Sequence, residues 1–268
     1  MSLVDAHCHL NFDDFDNDRI QVVERAKGIG IHRILIPAID LETSKSGLIV
    51  ANQFPEVYAA VGVHPNSGMT WMKDTSQEIK RIAGEPKVVA IGEIGLDYYR
   101  DHTPKEIQRS IFIEQLELAA ELGLPVIIHN RDATEDIVGI LRDWYLPLKR
   151  NGSMLAHHPG ELHSFSANLD VAKTMADMNF KLGITGPVTF RNSRLLQTVV
   201  ISMPLESMLL ETDAPYLTPH PYRGKRNEPA NVRIVAEKIA ELKNCPIEKV
   251  ASITTESADQ LFDWRVLQ

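Results

Sequence analysis

Eight short apolar runs, separated by stretches of helical periodicity, recur along this 268-residue chain, and that alternation restricts its fold more than any other feature. The runs are Leu3 to Asp5, Arg33 to Ala38, Val57 to Val63, Val88 to Ile94, Pro125 to His129, one between Met154 and His163, Lys181 to Ile184, and Met208 to Leu210. Near-continuous apolar strands need cover on both faces, so their alternation with helices implies a parallel sheet wrapped by helices. Ile107, Ile111, Leu116, Leu118 and Leu122 mark one helix, with Gly123 placed for a left-handed cap. Val232, Ile234, Val235, Ile239 and Leu242 mark another. Eight such units, in a chain near the roughly 250 residues typical of the class, predict an α/β fold of the closed (β/α)8 TIM-barrel type. Pro246 to Phe262 reads as an additional C-terminal helix. No Gly/Ser linker or low-complexity segment divides the chain, so residues 1–268 are expected to form one domain. A doubly wound open sheet is the alternative, but His7 and His9 stand where its Gly-rich dinucleotide turn would follow the first run.

The net charge of −8 argues against a protein that coats nucleic acid by bulk electrostatics. It leaves room for a local basic rim, and Tyr222-Arg223-Gly224-Lys225-Arg226 supplies a candidate that competes with a plain solvated loop. The two cysteines, Cys8 and Cys245, lie far apart with no C-x-x-C spacing, as expected in a reducing cytoplasm. No run approaches the ~18 apolar residues of a membrane span, and the N-terminus lacks a basic segment followed by an apolar one. The expected protein is cytoplasmic and monomeric, with no membrane partner.

Residues two apart on a strand share a face, so His7 and His9 present two imidazoles side by side at the end of the first run. Barrel active sites gather at the C-terminal ends of strands, and the polar residues found there are consistent in type. Glu93 closes the fourth run, His129 the fifth and Asp213 the eighth; His163 follows the sixth. Histidines mixed with carboxylates suit zinc, manganese, iron or magnesium in a site of one or two ions. Two ions about 3.5 to 4 Å apart clamp the attacking and leaving oxygens in phosphoester hydrolysis.

The motifs resemble a known family. Asp5-Ala6-His7-Cys8-His9-Leu10, Val63-His64-Pro65, Gly92-Glu93-Ile94-Gly95-Leu96-Asp97-Tyr98-Tyr99, Pro125-Val126-Ile127-Ile128-His129, His163-Ser164-Phe165-Ser166, Leu210-Glu211-Thr212-Asp213-Ala214-Pro215-Tyr216-Leu217 and Tyr222-Arg223-Gly224-Lys225-Arg226-Asn227-Glu228-Pro229 are similar to the successive motifs of TatD-family metal-dependent deoxyribonucleases. The resemblance runs through essentially the whole chain, in order. It implies a TIM-barrel hydrolase of the amidohydrolase-like superfamily that cleaves phosphodiester bonds in DNA, acting as an exonuclease with two divalent ions drawn from magnesium, manganese or zinc. By the same resemblance His7, His9 and Asp213 hold one ion, His129 and His163 the other, and Glu93 adjoins both. It further implies Asp213 as proton acceptor for the attacking water, His64 beside the metal site, and Arg223, Lys225 and Arg226 near substrate phosphates.

The sixth motif departs from the family pattern. Asn151 to Leu162 contains Ala156-His157-His158-Pro159-Gly160, and Ala167 replaces the motif's glycine. Either His163 is the ligand and the earlier stretch a loop, or the strand is Met154 to Ala156 and His157 takes its place. The match at His163-Ser164-Phe165-Ser166, with a helix beginning near Asn168, favours His163. Glu211 is read as a strand-end ligand or as orienting Asp213 or binding substrate, Asp97, Tyr98 and Tyr99 as pocket or packing residues, and Cys8 as a core filler. His32, His102, His158 and His220 have no such support. A deacylase or lactonase acting on a C–N or ester bond is the alternative function. Glu93 stands where many related barrels carry a carbamylated lysine, which favours the phosphodiesterase. A binding protein that has lost its metal is the third possibility, and the presence of all six ligating residue types speaks against it.

Overall fold

Near-continuous burial, with cover on both faces, turns each apolar run into a strand of one eight-stranded parallel sheet, ordered as in the sequence. The computed structural model describes residues 1–264. The strands are β1 (Leu3–Asp5), β2 (Ile31–Ile36), β3 (Val57–Val61), β4 (Val88–Asp97), β5 (Val126–Arg131), β6 (Gly160–Leu162), β7 (Lys181–Ile184) and β8 (Met208–Leu210). Around them run α1 (Arg19–Gly28), α2 (Leu41–Ala51), α3 (Thr75–Ala83), α4 (Lys105–Leu122), α5 (Thr134–Arg150), α6 (Leu169–Asp177), α7 (Arg194–Ser202) and α8 (Val232–Lys243). The C-terminal helix is α9 (Ile247–Leu261). Helix α4 ends at Gly123 with φ of 66°, the left-handed cap expected there.

The two faces of the sheet feed different cores. One large cluster, including Ile34, Ile36, Val61, Ile91, Phe112 and Leu141, fills the layer between strands and helices. A second lies inside the barrel, where Val4, Leu35, Ala60, Ile127 and Leu209 meet Leu261, Phe262 and Trp264 from the end of α9. The C-terminal helix thus plugs one mouth of the barrel. Full burial of Phe262 there contributes roughly 1.5–3 kcal/mol.

The barrel closes through the residues that follow β1 and β8. Ala6 N donates to Leu210 O at 2.9 Å, Asp213 N to His7 O at 2.9 Å and His9 N to Ala214 O at 2.8 Å. Asp5 reinforces the seam by accepting from Thr212 N at 2.9 Å and Thr212 Oγ1 at 2.6 Å. Closure therefore sets Asp213 against His7 and His9, which are more than 200 residues away in sequence.

Strand β2 starts and ends two residues before the run read from the sequence and β3 ends two residues early, and two elements differ further from expectation. Strand β4 continues past Ile94 to Asp97, because Gly95, Leu96 and Asp97 pair in register with His129, Asn130 and Arg131. The sixth strand is confined to Gly160–Leu162, while Met154–His157 forms a short 3-10 turn. His163 therefore leaves the end of a strand, and His157 lies exposed before it.

Candidate metal centre

Five of the expected residues reach one mouth of the barrel from strands or the segments that follow them: His7 and His9 after β1, Glu93 in β4, His129 in β5 and His163 after β6. Asp213 arrives after β8 with φ of 55°, a left-handed conformation that aspartate tolerates better than most residues. Glu93 lies where the β4–β5 register shifts between Ile91 and Ile94, an irregularity of the kind that re-aims side chains beside active sites. Gly92 before it is obligatory, since a Cβ there would sit 2.6 Å from the Cβ of Ile127.

The donor atoms form a compact set. His7 Nε2 lies 3.5 Å from Glu93 Oε2 and 3.8 Å from Asp213 Oδ1; His9 Nε2 lies 4.0 Å and 3.5 Å from the same two atoms. On the other side of Glu93, Oε1 is 2.7 Å from His129 Nδ1 and 3.7 Å from His64 Nε2. His163 Nε2 is 3.7 Å from Asp213 Oδ1, and its ring stacks on His7 with centroids 3.4 Å apart. The resemblance groups His163 with His129. In the structure His163 stands with His7 and Asp213, and the histidine ring against His129 is that of His64.

Burial would raise the Glu93 carboxyl, but His64, His129 and His7 hold it well below the usual carboxylate range. Asp213 is likewise held down against burial, by His9, His163 and His7. Burial, reinforced by His129, pushes His64 down to about 3 and keeps its ring neutral. His163 moves the other way, up to about 10, because Glu211 outweighs its burial. Below the mouth, Glu161 is raised by burial and by Glu211, so it is a carboxylic acid beside an ionised carboxylate.

The residues fit a divalent cation. Both ring nitrogens of His7 and Nδ1 of His9 are buried without a hydrogen-bond partner. Such groups are costly unless something satisfies them. Donors about 2.0–2.2 Å from one ion stand roughly 3 to 4 Å apart, the separations found here. By distance three sets qualify among the described residues: His7, His9 and Asp213; His64, Glu93 and His129; and His7, His163 and Glu211. His9, His64, Glu93, His129, His163 and Asp213 line a 310 Å³ pocket whose walls also include Phe12, Asn66 and Tyr216. A larger pocket of 450 Å³, between Val88, Leu124, Met154 and Leu261, lies away from these polar groups, so donor chemistry and not size picks the site.

A profile of the family described as TatD related DNase matches residues 4–263. The chain belongs to the TatD family. Its relatives include YabD of Bacillus subtilis, an uncharacterized metal-dependent hydrolase 45% identical over 260 residues that cover 97% of this chain and 98% of that one. TatD of Mycobacterium tuberculosis, also an uncharacterized metal-dependent hydrolase, is 37% identical over 97% of each chain. The crystal structure of YjjV, a TatD homolog from Escherichia coli, superposes with a TM-score of 0.89 at 31% identity, covering 97% of this chain and 98% of that chain. The phosphotriesterase homology protein of Escherichia coli, solved with phosphate in its active site, shares the fold at a TM-score of 0.64 and 16% identity, with 97% and 96% covered.

The basic loop of this TatD-family chain divides. Arg226 is engaged with Asp18 at 2.8 Å and Asp14 O at 2.6 Å and lies over the Phe15 ring, so it ties the loop to the segment before α1. Glu228 binds Arg25 at 2.6 Å and not the loop's own cations. Arg223 is exposed and lies over the ring of Phe190 at 4.6 Å, and Lys225 is exposed over Tyr222. None of the three cations lines the 310 Å³ pocket. Residues that sequence reasoning passed over are Phe12, stacked on His9 at 4.5 Å, and Asn66, which donates to Asp97. Their only signal is proximity to His9 and His64 in the chain. Cys8 is fully buried, as a core filler should be. Among the described residues no helix is long and apolar enough to cross a membrane.

Proposed function

We propose that this TatD-family chain hydrolyses phosphodiester bonds in DNA, working from a strand end at a two-ion centre held by His7, His9, Glu93, His129, His163 and Asp213. The observation that carries the reading is the double face of Glu93: one oxygen turns toward His7 and His9, the other toward His129 and His64. A carboxylate shared in this way suits a pair of ions, magnesium, manganese or zinc, as phosphoester hydrolysis uses. The chemistry a bound divalent ion supplies here is a lower proton affinity for water and neutralisation of phosphate oxygens.

Asp213 is the general base. It is ionised, its side chain remains 14% exposed, and its oxygen lies at the mouth where water enters. Phe12 and the half-exposed Tyr216 form an aromatic wall beside His9, suited to a base or sugar face. A pocket of 310 Å³ is small, which favours a single terminal nucleotide over a continuous strand. Arg223 and Lys225 supply charge for phosphates farther along.

Metal-replete protein assayed on 3′-labelled and 5′-labelled DNA, and in parallel on acyl-amino-acid substrates and lactones, tests the reading. Stepwise release of nucleotides that disappears in Glu93→Ala is expected. Turnover of the acyl or lactone substrates alone, or DNA cleavage untouched by Glu93→Ala, overturns it.

A further inference from the structure

Three histidines of the centre have their outer nitrogen already engaged, and the partners differ in kind. His129 Nε2 faces Asp97 Oδ2 at 3.3 Å, and His163 Nδ1 faces Glu211 Oε2 at 3.0 Å. An ionised carboxylate only accepts, so each can hold a ring proton on the outer nitrogen. The inner nitrogens, His129 Nδ1 and His163 Nε2, face Glu93 and Asp213, and a divalent ion bound there would displace their protons and leave the remaining one on the outer nitrogen. His64 is arranged in reverse. Its Nδ1 accepts from the backbone N–H of Asn66 at 3.0 Å. A backbone amide only donates, so Nδ1 carries no proton and the neutral ring holds it on Nε2, the atom that faces the centre. Distance alone admits His64 to a ligand set with Glu93 and His129. The Asn66 hydrogen bond removes it.

We propose that the partner of the outer nitrogen decides the task of each ring: Asp97 and Glu211 make His129 and His163 metal ligands, whereas the Asn66 amide makes His64 a hydrogen-bond donor to a substrate oxygen. This assignment rests on the reading of the centre as metal-dependent and hydrolytic. Asp97 and Glu211 are then positioning residues, and both are rigidly held. Asp97 is buried and also accepts from Tyr99 N and Arg100 N at 3.0 Å and from Asn66 Nδ2 at 2.9 Å. Glu211 is fully buried and accepts from Ser164 N at 3.0 Å. Gly183 in β7 leaves the space it occupies, since a Cβ there would fall 1.9 Å from Glu211 Oε1. Carboxylates behind ligating histidines fix the tautomer and strengthen the ligand, and removing one lowers metal affinity by about 10- to 100-fold. His64, as an N–H donor, acts on an oxygen that gains charge in the transition state.

Long-range 15N–1H spectra of the zinc-loaded, unsubstituted chain read the assignment directly. The expected pattern is a proton on His129 Nε2, on His163 Nδ1 and on His64 Nε2, with zinc on the inner nitrogens of the first two only. Zinc titration by calorimetry gives a second reading. Asp97→Ala and Glu211→Ala should each weaken binding by about 10- to 100-fold. Asp97→Asn and Glu211→Gln should recover part of the loss. His64→Ala should leave zinc affinity unchanged while slowing DNA turnover. A zinc-bound His64, a proton on His129 Nδ1, or wild-type zinc affinity in folded Asp97→Ala and Glu211→Ala overturns the assignment. The spectra need neither a variant nor a substrate, so they stand even if DNA proves not to be cleaved.

Discussion

Asn66 donates its side-chain amide to Asp97 Oδ2 at 2.9 Å while its backbone amide donates to His64 Nδ1 at 3.0 Å, so one residue orients both rings that face Glu93 Oε1, His64 directly and His129 through Asp97. The segment after β3 and the extension of β4 are thereby locked to each other. The two hydrogen bonds also separate experimentally, because only one belongs to the side chain.

Asn66→Ala keeps the amide that sets His64 and removes the donor to Asp97. A hydrogen bond to a charged group is worth about 1.5–3 kcal/mol. Part of that loss should reach His129, so zinc affinity is expected to fall by about 3- to 10-fold, with the His64 proton still on Nε2 in the 15N spectrum. A variant with unaltered zinc binding would detach Asn66 from the centre.

Gly183→Ala should act on Glu211 at a distance of one methyl group. The added Cβ would overlap the carboxylate, which is fully buried and would have to give up its present position. Overpacking of this kind costs about 1–3 kcal/mol. Urea denaturation should show that loss, and metal titration should show weaker binding as His163 loses its partner. Native stability together with native metal affinity would mean that Glu211 does not need the cradle.

The basic loop should give two different phenotypes. Arg223→Ala combined with Lys225→Ala removes two exposed cations that make no ion pair with an acidic side chain among the described residues. DNA binding should therefore weaken, and its dependence on salt should flatten by about one unit for each phosphate no longer neutralised. Fluorescence anisotropy at several KCl concentrations measures both. Arg226→Ala should instead lower the melting temperature, since it loses the pair to Asp18 and the stack on Phe15. Equal effects of all three on binding would contradict the division.

Acid stability should report the same pair. The Arg226 guanidinium holds Asp18 down to about 2 despite partial burial, with help from Arg25. The unfolded carboxyl titrates near about 3.9. A depressed pKa stabilises the fold above the unfolded value and loses that contribution as pH falls through the folded one, so the window lies between about pH 4 and pH 2. The Asp18 side chain is 32% exposed, and solvent screening limits the contribution to about 1 kcal/mol. Melting curves of the native chain and Asp18→Asn should differ at pH 6 and converge by pH 2. A difference of constant size across that range would rule out the linkage.

Much of this architecture is legible from local pattern. Short continuous apolar runs, helical spacing and the cap at Gly123 act over a few residues, so runs such as Val57 to Val63, of which Val57–Val61 is strand, and Lys181 to Ile184 can be read without knowing their neighbours. The irregular sixth unit cannot. Met154 to Ala156 is as apolar as a strand, and only the pairing of Gly160, Glu161 and Leu162 with Val126, Ile127 and Ile128 decides where β6 lies. The end of β4 is hidden from the sequence for the same reason, because Asp97 is a strand residue only through its pairing with Arg131.

The eight-unit barrel, the additional C-terminal helix and the residue types at the strand ends were written in the sequence, since periodicity and side-chain chemistry are local properties. Tertiary structure alone decided which residues act together. The seam between β1 and β8 puts Asp213 beside His7 and His9, and Asp18 takes Arg226 out of a loop that reads as uniformly basic. Asn66, Asp97 and Glu211 engage the outer nitrogens of His64, His129 and His163. These outcomes depend on hydrogen-bond partners brought across the barrel or from neighbouring loops, and a hydrogen bond exists only at the distance and angle that folding supplies.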